Sequence, residues 1–421
     1  MVTVDILAQF NPWWTQKEVP KVFVGSHERP ILRELIKHLD SRFAVLLFGL
    51  RRVGKTTTFY QLIKHLLRIG SDERKVLYFS FDDQSATIQN IVALYEEKII
   101  KKKLGDIDRI FFFFDEIQKV ADWQSAIKQL YDLHPNVKIF LSGSASVTLE
   151  KNARESLAGR MIDIYAAPLT FKEFLDWKNN KVALDNPELA QGEIQPLLMD
   201  YLRKGGFPEL AHEESDDAVR QYLKNLILER IIYRDLPQEF ALKDAELLRT
   251  LLEYIVREPG NIVNVERLAR DTGRSKITIG NYLGYLQYGL LVRAIGNLRP
   301  GFLIASRKGK KYYPVSPAFC FAYRSDFYTD ALLAKVAESA VAMKLNAEYY
   351  YRNGFEIDFV RKDGQEILPI EVKWGKPDEV QLKAFMEKFS ISSGILVTRD
   401  VFRDERSGIR LVPLWKFLLE D

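Results

Sequence analysis

Gly49-Leu50-Arg51-Arg52-Val53-Gly54-Lys55-Thr56 matches the spacing G-x-x-x-x-G-K-[ST] in full. It lies between an apolar run, Phe43 to Phe48, and a segment of helical apolar spacing, Thr58 to Ile69. Strand, glycine loop and helix, in that order, make a phosphate cradle. Free N–H groups and the helix N-terminus favour an anion, and the lysine reaches the outer phosphates. The expected cradle is Gly49, Arg51, Arg52, Val53, Gly54, Lys55, Thr56 and Thr57, and its ligand is ATP or GTP. Further on, Arg109 to Phe114 is an apolar strand that ends in Asp115-Glu116. An acid at that strand end is placed to hold Mg²⁺ beside the hydroxyl of the loop. Asp115 is assigned to Mg²⁺ through water, Thr56 as direct ligand, and Glu116 as the group that orients or deprotonates the attacking water. Together the two motifs point to nucleotide hydrolysis. The next strand ends in Ser142-Gly143-Ser144. Ser144, in preference to Ser142, is the candidate for sensing the outer phosphate, with a plain strand-ending turn as the alternative. Arg160, in Leu157-Ala158-Gly159-Arg160, is a candidate arginine finger for its own nucleotide or a neighbour's. The second case demands a homo-oligomer. A merely solvated arginine is the alternative.

A second set of chemistry-bearing residues lies near the C-terminus. Phe355-Glu356-Ile357-Asp358-Phe359-Val360 and Leu368-Pro369-Ile370-Glu371-Val372-Lys373 alternate with period two around a Lys362-Asp363-Gly364 turn, which predicts a hairpin. Glu371 and Lys373 share one face of their strand, and the hairpin brings Asp358 alongside. Glu338 lies on a helix upstream. Carboxylates such as Glu338, Asp358 and Glu371 can hold Mg²⁺ or Mn²⁺, which polarises a phosphoryl oxygen, and Lys373 can stabilise the charge that develops. An ordinary exposed charge pair is the alternative for Glu-x-Lys alone.

Between the two sets lies a basic module. Glu246–Glu258 reads as a helix broken by Pro259-Gly260-Asn261. Val265–Arg270 is a short second helix, and Ser275 can cap a third, Lys276 to Leu290, with Ile279, Tyr282, Leu283 and Leu286 on its apolar face. Two helices joined by a short glycine-containing turn fit a helix-turn-helix. Leu291–Ile295 and Phe302–Ser306 would form a wing. Arg274, Lys276 and Thr278 open the third helix. Arg299, Arg307, Lys308, Lys310, Lys311, Tyr312 and Tyr313 cluster nearby, a mixture suited to a DNA backbone. Docking of a protein partner is the alternative use.

The elements that must position these residues follow from periodicity. Strand-like and helix-like runs alternate from Phe43 to Leu141, which predicts a mostly parallel sheet covered by helices. Leu169 to about Gln238 is helical, with a break at Gly205-Gly206-Phe207-Pro208. The fold class is therefore α/β. The expected divisions are an N-terminal arm over 1–20, a P-loop core over 21–168, a helical region over 169–240, the basic module over 241–315 and a small α/β domain over 316–421. The 421 residues are too many for one ordinary core. With 47% hydrophobic and 28% charged residues, no apolar run long enough for a membrane span and no signal-peptide pattern, a soluble cytoplasmic protein is expected. A single cysteine, Cys320, leaves no intramolecular disulfide. The net charge of +4 neither requires nor excludes nucleic acid.

Gly49–Thr56, Phe114-Asp115-Glu116-Ile117-Gln118 with Asp122-Trp123, Ser142-Gly143-Ser144, Leu157–Arg160 and Gly205–Pro208, in this order, resemble the prokaryotic AAA-superfamily ATPases fused to a C-terminal domain of unknown function. The resemblance covers nearly the whole chain. It implies an AAA/ASCE-type ATPase core, a winged-helix segment and a restriction-endonuclease-like C-terminal domain, but no agreed substrate. Glu338, Asp358, Glu371 and Lys373 resemble the PD-(D/E)XK nuclease set, and Gln381 resembles an extra polar residue of some members. Glu356-Ile357-Asp358 lacks the eponymous Pro-Asp. Taken with the residues themselves, the expected function is a Mg²⁺-dependent ATPase that binds and processes or remodels DNA, branched or duplex, with a C-terminal nuclease-like domain. The alternatives are a signalling switch of the STAND type whose C-terminal domains dock partners, and a DNA-binding ATPase whose nuclease-like domain is inert.

Overall fold

The computed structural model describes residues 2–82, 86–144, 157–299, 309–324, 329–364, 366–406 and 408–420. The chain forms two compact units, Met1–Ala167 and Pro168–Asp421. Among the described residues no helix is long and apolar enough to cross a membrane.

The first unit is built on five strands: β1 (Ala44–Phe48), β2 (Val76–Ser80), β3 (Ile110–Asp115), β4 (Val137–Gly143) and β5 (Met161–Tyr165). All pairings are parallel, in the order β2-β3-β4-β1-β5. A parallel strand covered on both faces needs a continuous apolar sequence rather than an alternating one. Ile110–Phe114 supplies it, and Phe112, Phe113 and Phe114 are fully buried. The Phe113 ring stacks on Phe140 of β4 at 5.0 Å. Because β4 lies between β1 and β3, the loop after β1 and the acid after β3 leave the same end of the sheet one strand apart. Helix α1 (Lys55–Arg68) starts directly from that loop, and α2 (Trp123–Leu133) connects β3 to β4. Strand β5 has no clear sequence signal, since its five residues are all partly or fully exposed.

The N-terminal arm covers an edge. Strand β2 is outermost, so its outward backbone groups need partners. The Asn11 amide donates to Tyr78 O at 2.8 Å and accepts from Tyr78 N at 2.7 Å. The indole N–H groups of Trp13 and Trp14 both donate to Val76 O, at 3.1 and 2.9 Å. The aromatic cluster of the arm thus finishes its own sheet.

The second unit contains one nine-stranded sheet. Its strands are β6 (Ile262–Val263), β7 (Val292–Asn297), β8 (Lys310–Pro314), β9 (Tyr349–Arg352), β10 (Glu356–Asp363), β11 (Glu366–Lys373), β12 (Gly394–Thr398), β13 (Arg403–Arg406) and β14 (Ile409–Pro413). Their order is β13-β14-β12-β11-β10-β9-β7-β8-β6. The expected hairpin is β10–β11, antiparallel with Phe359 opposite Ile370. The expected helices appear as α3 (Ala245–Arg257), α4 (Val265–Thr272), α5 (Lys276–Tyr288) and α6 (Asp330–Lys344). Asn264 caps α4, Gly273 ends it in the left-handed region, and the Ser275 hydroxyl accepts from Thr278 N to cap α5. Ile279, Tyr282, Leu283 and Leu286 are all buried. The partner of β7 is β8. The strand expected at Phe302–Ser306 lies outside the described residues, as do Arg307 and Lys308.

The divisions at 240/241 and 315/316 mark changes of pattern but not of packing. One buried cluster runs from Phe171 and Leu198 through Tyr313 and Val336 to Phe359 and Trp415. Parallel pairing of Gly296 with Tyr349 and Asn297 with Tyr350 joins the two groups of strands. The Gly-Gly-Phe-Pro break sits in this unit for a steric reason. Gly206 has φ of +78°, and a Cβ there would lie 2.4 Å from Leu169 O and 2.7 Å from Leu169 N. Gly206→Ala is expected to lower the unfolding free energy by roughly 3 kcal/mol. An unchanged denaturant midpoint for the full chain would contradict this.

Candidate functional site

The loop from Gly49 to Gly54 turns through two left-handed residues, Arg52 at φ +65° and Gly54 at φ +93°. Gly54 carries the chain into α1, where its carbonyl accepts from both the N–H and the hydroxyl of Thr58, each at 2.9 Å. Lys55, 6% exposed, folds back over the loop and donates to Gly49 O at 3.1 Å and Leu50 O at 2.9 Å. Arg29 braces the loop from behind by donating to Val53 O at 2.8 Å.

Opposite the loop is Asp115, 2% exposed at the end of β3. Thr56 Oγ1 donates to its Oδ2 at 2.6 Å, which brings the two expected Mg²⁺-binding residues together. Two further hydroxyls converge on the same carboxylate. Tyr78 donates to Oδ2 at 2.8 Å, and Ser142 donates to Oδ1. Burial first, then the negative charge of Asp115, push the Tyr78 phenol well above its ordinary pKa, so it stays a donor. Glu116 follows in a left-handed turn at φ +56°. Gln118 Nε2 donates to Glu116 Oε2 at 2.6 Å and fixes that carboxylate beside the site.

Tyr78 and Arg29 carry no signal in a linear reading, and Ser142 stands there only as the less favoured alternative to Ser144. Each comes from a different strand or loop and meets the site only through the sheet order. Ser142 touches Asp115, whereas Ser144 lies one residue beyond the end of β4. Arg160 is not brought to the loop of its own chain. It precedes β5, and its carbonyl accepts from Ala44 N at the start of β1. The loop leaves the other end of β1, about 16 Å away for five residues at ~3.3 Å each. The Arg160 guanidinium is paired with Asp132, at 2.9 Å from Nε to Oδ1 and 3.3 Å from Nη2 to Oδ2.

The C-terminal acids converge, but around a cation that belongs to the chain itself. Lys311, on β8, has its side chain 3% exposed, and its ammonium lies 2.7 Å from Glu356 Oε1, 3.5 Å from Glu338 Oε1 and 3.5 Å from Asp358 Oδ1. Tyr313, two residues on, donates its hydroxyl to Glu338. Next to this group Asp358 N donates to Glu371 Oε2 at 3.1 Å, Val372 N donates to Asp358 Oδ2 at 3.0 Å, and Lys373 Nζ lies 2.7 Å from Glu371 Oε1. Gln381 Oε1 accepts from Glu356 N at 3.2 Å. Burial alone would lower the pKa of Lys311, but Glu338, Asp358 and Glu356 together hold it above the ordinary lysine value. Burial, then repulsion from Asp358, raises the carboxyls of Glu338 and Glu371.

This arrangement corrects one expectation. Lys311, Tyr312 and Tyr313 do not belong to a solvent-facing basic cluster, because only Lys310 of that run is exposed. Of the acids expected to hold a divalent cation, Glu338 and Asp358 face the Lys311 ammonium and Glu371 pairs with Lys373. Among the described residues no group of three His, Cys, Asp or Glu is spaced to hold a metal ion.

Residues 41–175 match the family model described as AAA domain. Residues 195–323 match a domain of unknown function (DUF8612), and residues 332–417 match a second (DUF4143). An uncharacterized protein of Methanocaldococcus jannaschii is 24% identical over 409 residues, covering 91% of this chain and 90% of the relative. An uncharacterized protein of Haemophilus influenzae is 24% identical over 406 residues, covering 92% and 97%. Among solved structures, a Walker-type ATPase of Pyrococcus abyssi is 17% identical with a TM-score of 0.44, covering 72% of this chain and 97% of that one. Cdc6p of Pyrobaculum aerophilum is 15% identical with a TM-score of 0.31, covering 79% and 98%. The family match, with the sheet order and the loop, makes residues 41–175 a P-loop ATPase domain of the AAA type.

Proposed function

We propose that this chain is a Mg²⁺-dependent ATP hydrolase that binds DNA through its helix-turn-helix module. The contact that carries the hydrolase reading is Thr56 Oγ1 to Asp115 Oδ2 at 2.6 Å. It sets a loop hydroxyl beside a strand-end carboxylate, the paired hard oxygen donors that Mg²⁺ takes in P-loop enzymes. Bound there, Mg²⁺ would neutralise charge on the outer phosphates. The remaining work falls to side chains. Lys55 exchanges the carbonyls of Gly49 and Leu50 for phosphate oxygens, a stronger acceptor for an ammonium. Gly49, Arg51, Arg52, Val53, Gly54 and Thr57 line the cradle with N–H groups and the start of α1. Glu116, held by Gln118, orients the attacking water and takes its proton. Ser144 senses the outer phosphate from the end of β4. Arg160 serves a neighbour's nucleotide from a second copy, since its own loop is out of reach.

Glu116→Gln keeps the shape and removes the base. Turnover of Mg²⁺-ATP is expected to fall at least 100-fold, in the range of ~10²–10⁴ for loss of a general base. Nucleotide affinity should stay within about threefold, as binding does not use that proton transfer. Equal turnover in a steady-state phosphate-release assay would remove Glu116 from this role.

The DNA reading rests on exposed cations along α4 and α5. Arg267, Arg270, Arg274 and Lys276 all face solvent. Arg274 pairs with Asp244 at 2.7 Å and Lys276 with Glu266 at 2.5 Å. Exposed pairs of this kind are screened by water and contribute little, so phosphates can displace the acids. Ile277, 76% exposed and next to Lys276, favours a second reading, a protein-docking module in an ATP-dependent assembly switch. Salt separates the two. With the full chain and a duplex followed by fluorescence anisotropy, affinity is expected to fall at least tenfold between 50 and 200 mM salt, as for roughly two phosphate contacts. Arg274→Ala and Lys276→Ala should each reduce the slope by about one. Absence of salt-sensitive binding would overturn the DNA reading in favour of docking.

A further inference from the structure

Two acids of the nuclease-like set, Glu338 and Asp358, and Glu356 from outside that set surround Lys311, and the group is drawn from separate stretches of sequence. Glu356 and Asp358 lie two apart on β10, and Glu338 comes from α6. Lys311 arrives on β8, which pairs with β6 at Ile262 and with β7 at Ile295. Several independent contacts hold β8 and β7 in place beside the acids. Tyr350 donates its hydroxyl to Gly309 O at 2.6 Å. Asn297 accepts from Arg352 N at 3.2 Å and donates to Arg352 O at 3.1 Å. Gly296 N donates to Glu348 O at 2.8 Å, and Leu298 N donates to Tyr350 O at 2.7 Å. The Lys311 ammonium also lies 5.5 Å from the Tyr350 ring centroid. Its position is thus fixed by packing and backbone pairing as well as by charge.

A divalent ion needs carboxylate oxygens at ~2.0–2.6 Å, converging on one point. Here the point of convergence of Glu338, Glu356 and Asp358 is taken by Nζ of Lys311. A metal bound by the same oxygens would meet a buried positive charge within a few ångströms, with little water to screen it. One cation excludes the other.

We propose that Lys311 is a built-in substitute for the divalent cation. The ammonium closes the nuclease-like centre and latches the β7–β8 hairpin to β10 and α6. The centre takes up Mn²⁺ or Mg²⁺ only when Lys311 is removed. The latch goes beyond the ATPase reading and does not depend on it.

Mn²⁺ titration of the full chain without nucleotide tests this, with free Mn²⁺ read by electron paramagnetic resonance. Wild type and Asp358→Asn are expected to bind Mn²⁺ equally weakly, within twofold of each other. Lys311→Ala should bind one Mn²⁺ at least tenfold more tightly than wild type, and Lys311→Ala with Asp358→Asn should lose that gain. Tight binding by wild type that Asp358→Asn abolishes would overturn the proposal. So would a folded Lys311→Ala chain, judged by circular dichroism, that gains no Mn²⁺ affinity. Should Lys311→Ala fail to fold, Lys311→Met replaces it and keeps the apolar stem. Even without either lysine variant, tight Mn²⁺ binding by wild type that Asp358→Asn abolishes overturns the proposal.

Discussion

The Asp115 carboxylate is buried, and three hydroxyls donate to it, Thr56 and Tyr78 on one oxygen and Ser142 on the other, where the Glu116 N–H also donates at 3.1 Å. A buried charge without such partners would be strongly disfavoured. Meeting this requirement ties together the first turn of α1 and strands β2, β3 and β4. The parallel order β2-β3-β4-β1-β5 places those donors at one end of the sheet, and the all-apolar β3 holds the acid at the correct depth. Even the N-terminal arm serves this arrangement indirectly. Asn11, Trp13 and Trp14 satisfy the outer edge of β2, the strand that carries Tyr78.

The second unit has a comparable centre with the opposite balance. Several carboxylates are drawn close together, and lysines of the chain answer them: Lys311 against Glu338, Glu356 and Asp358, and Lys373 against Glu371. Breaking a buried pair by removing one partner leaves a charge without compensation, so such a cluster is rigid as long as it stays complete. The first centre aims neutral donors at a single acid and leaves Lys55 on loop carbonyls that a phosphate can outcompete. The second satisfies its acids internally. The two units therefore carry different chemical potential, one suited to an incoming anion with its cation and the other already supplied with its cation.

Much of this was legible in the sequence because it is local. The loop, the strand ending in Asp115-Glu116, the Ser275 cap, the apolar face of α5 and the alternation of β10 and β11 are all written in contiguous residues. What escaped depends on pairing between distant segments. Tyr78 is an ordinary strand residue until the sheet order sets it beside Asp115. Strand β5 is short and partly exposed, so it lacks the apolar run that marks its neighbours. Lys311 lies in a basic stretch, and composition alone places it with the solvent-facing cations. Its place in β8 reverses that, since Lys310 is exposed while Lys311 and the residues after it in the strand are buried. The fusion of two groups of strands into one sheet rests on the short pairing of β7 with β9, which no periodicity announces.

The central claim is that ATP is hydrolysed at the Gly49–Thr56 loop. Lys55 is the residue on which that claim is most exposed, because it is buried at the loop and donates to the carbonyls of Gly49 and Leu50. The direct measurement is steady-state Mg²⁺-ATP turnover by purified wild type and by Lys55→Ala, with folding checked by circular dichroism. Turnover by wild type that is lost at least 100-fold in Lys55→Ala is the predicted result. Equal turnover by the two proteins, or none by a folded, nucleotide-bound wild type, would contradict it.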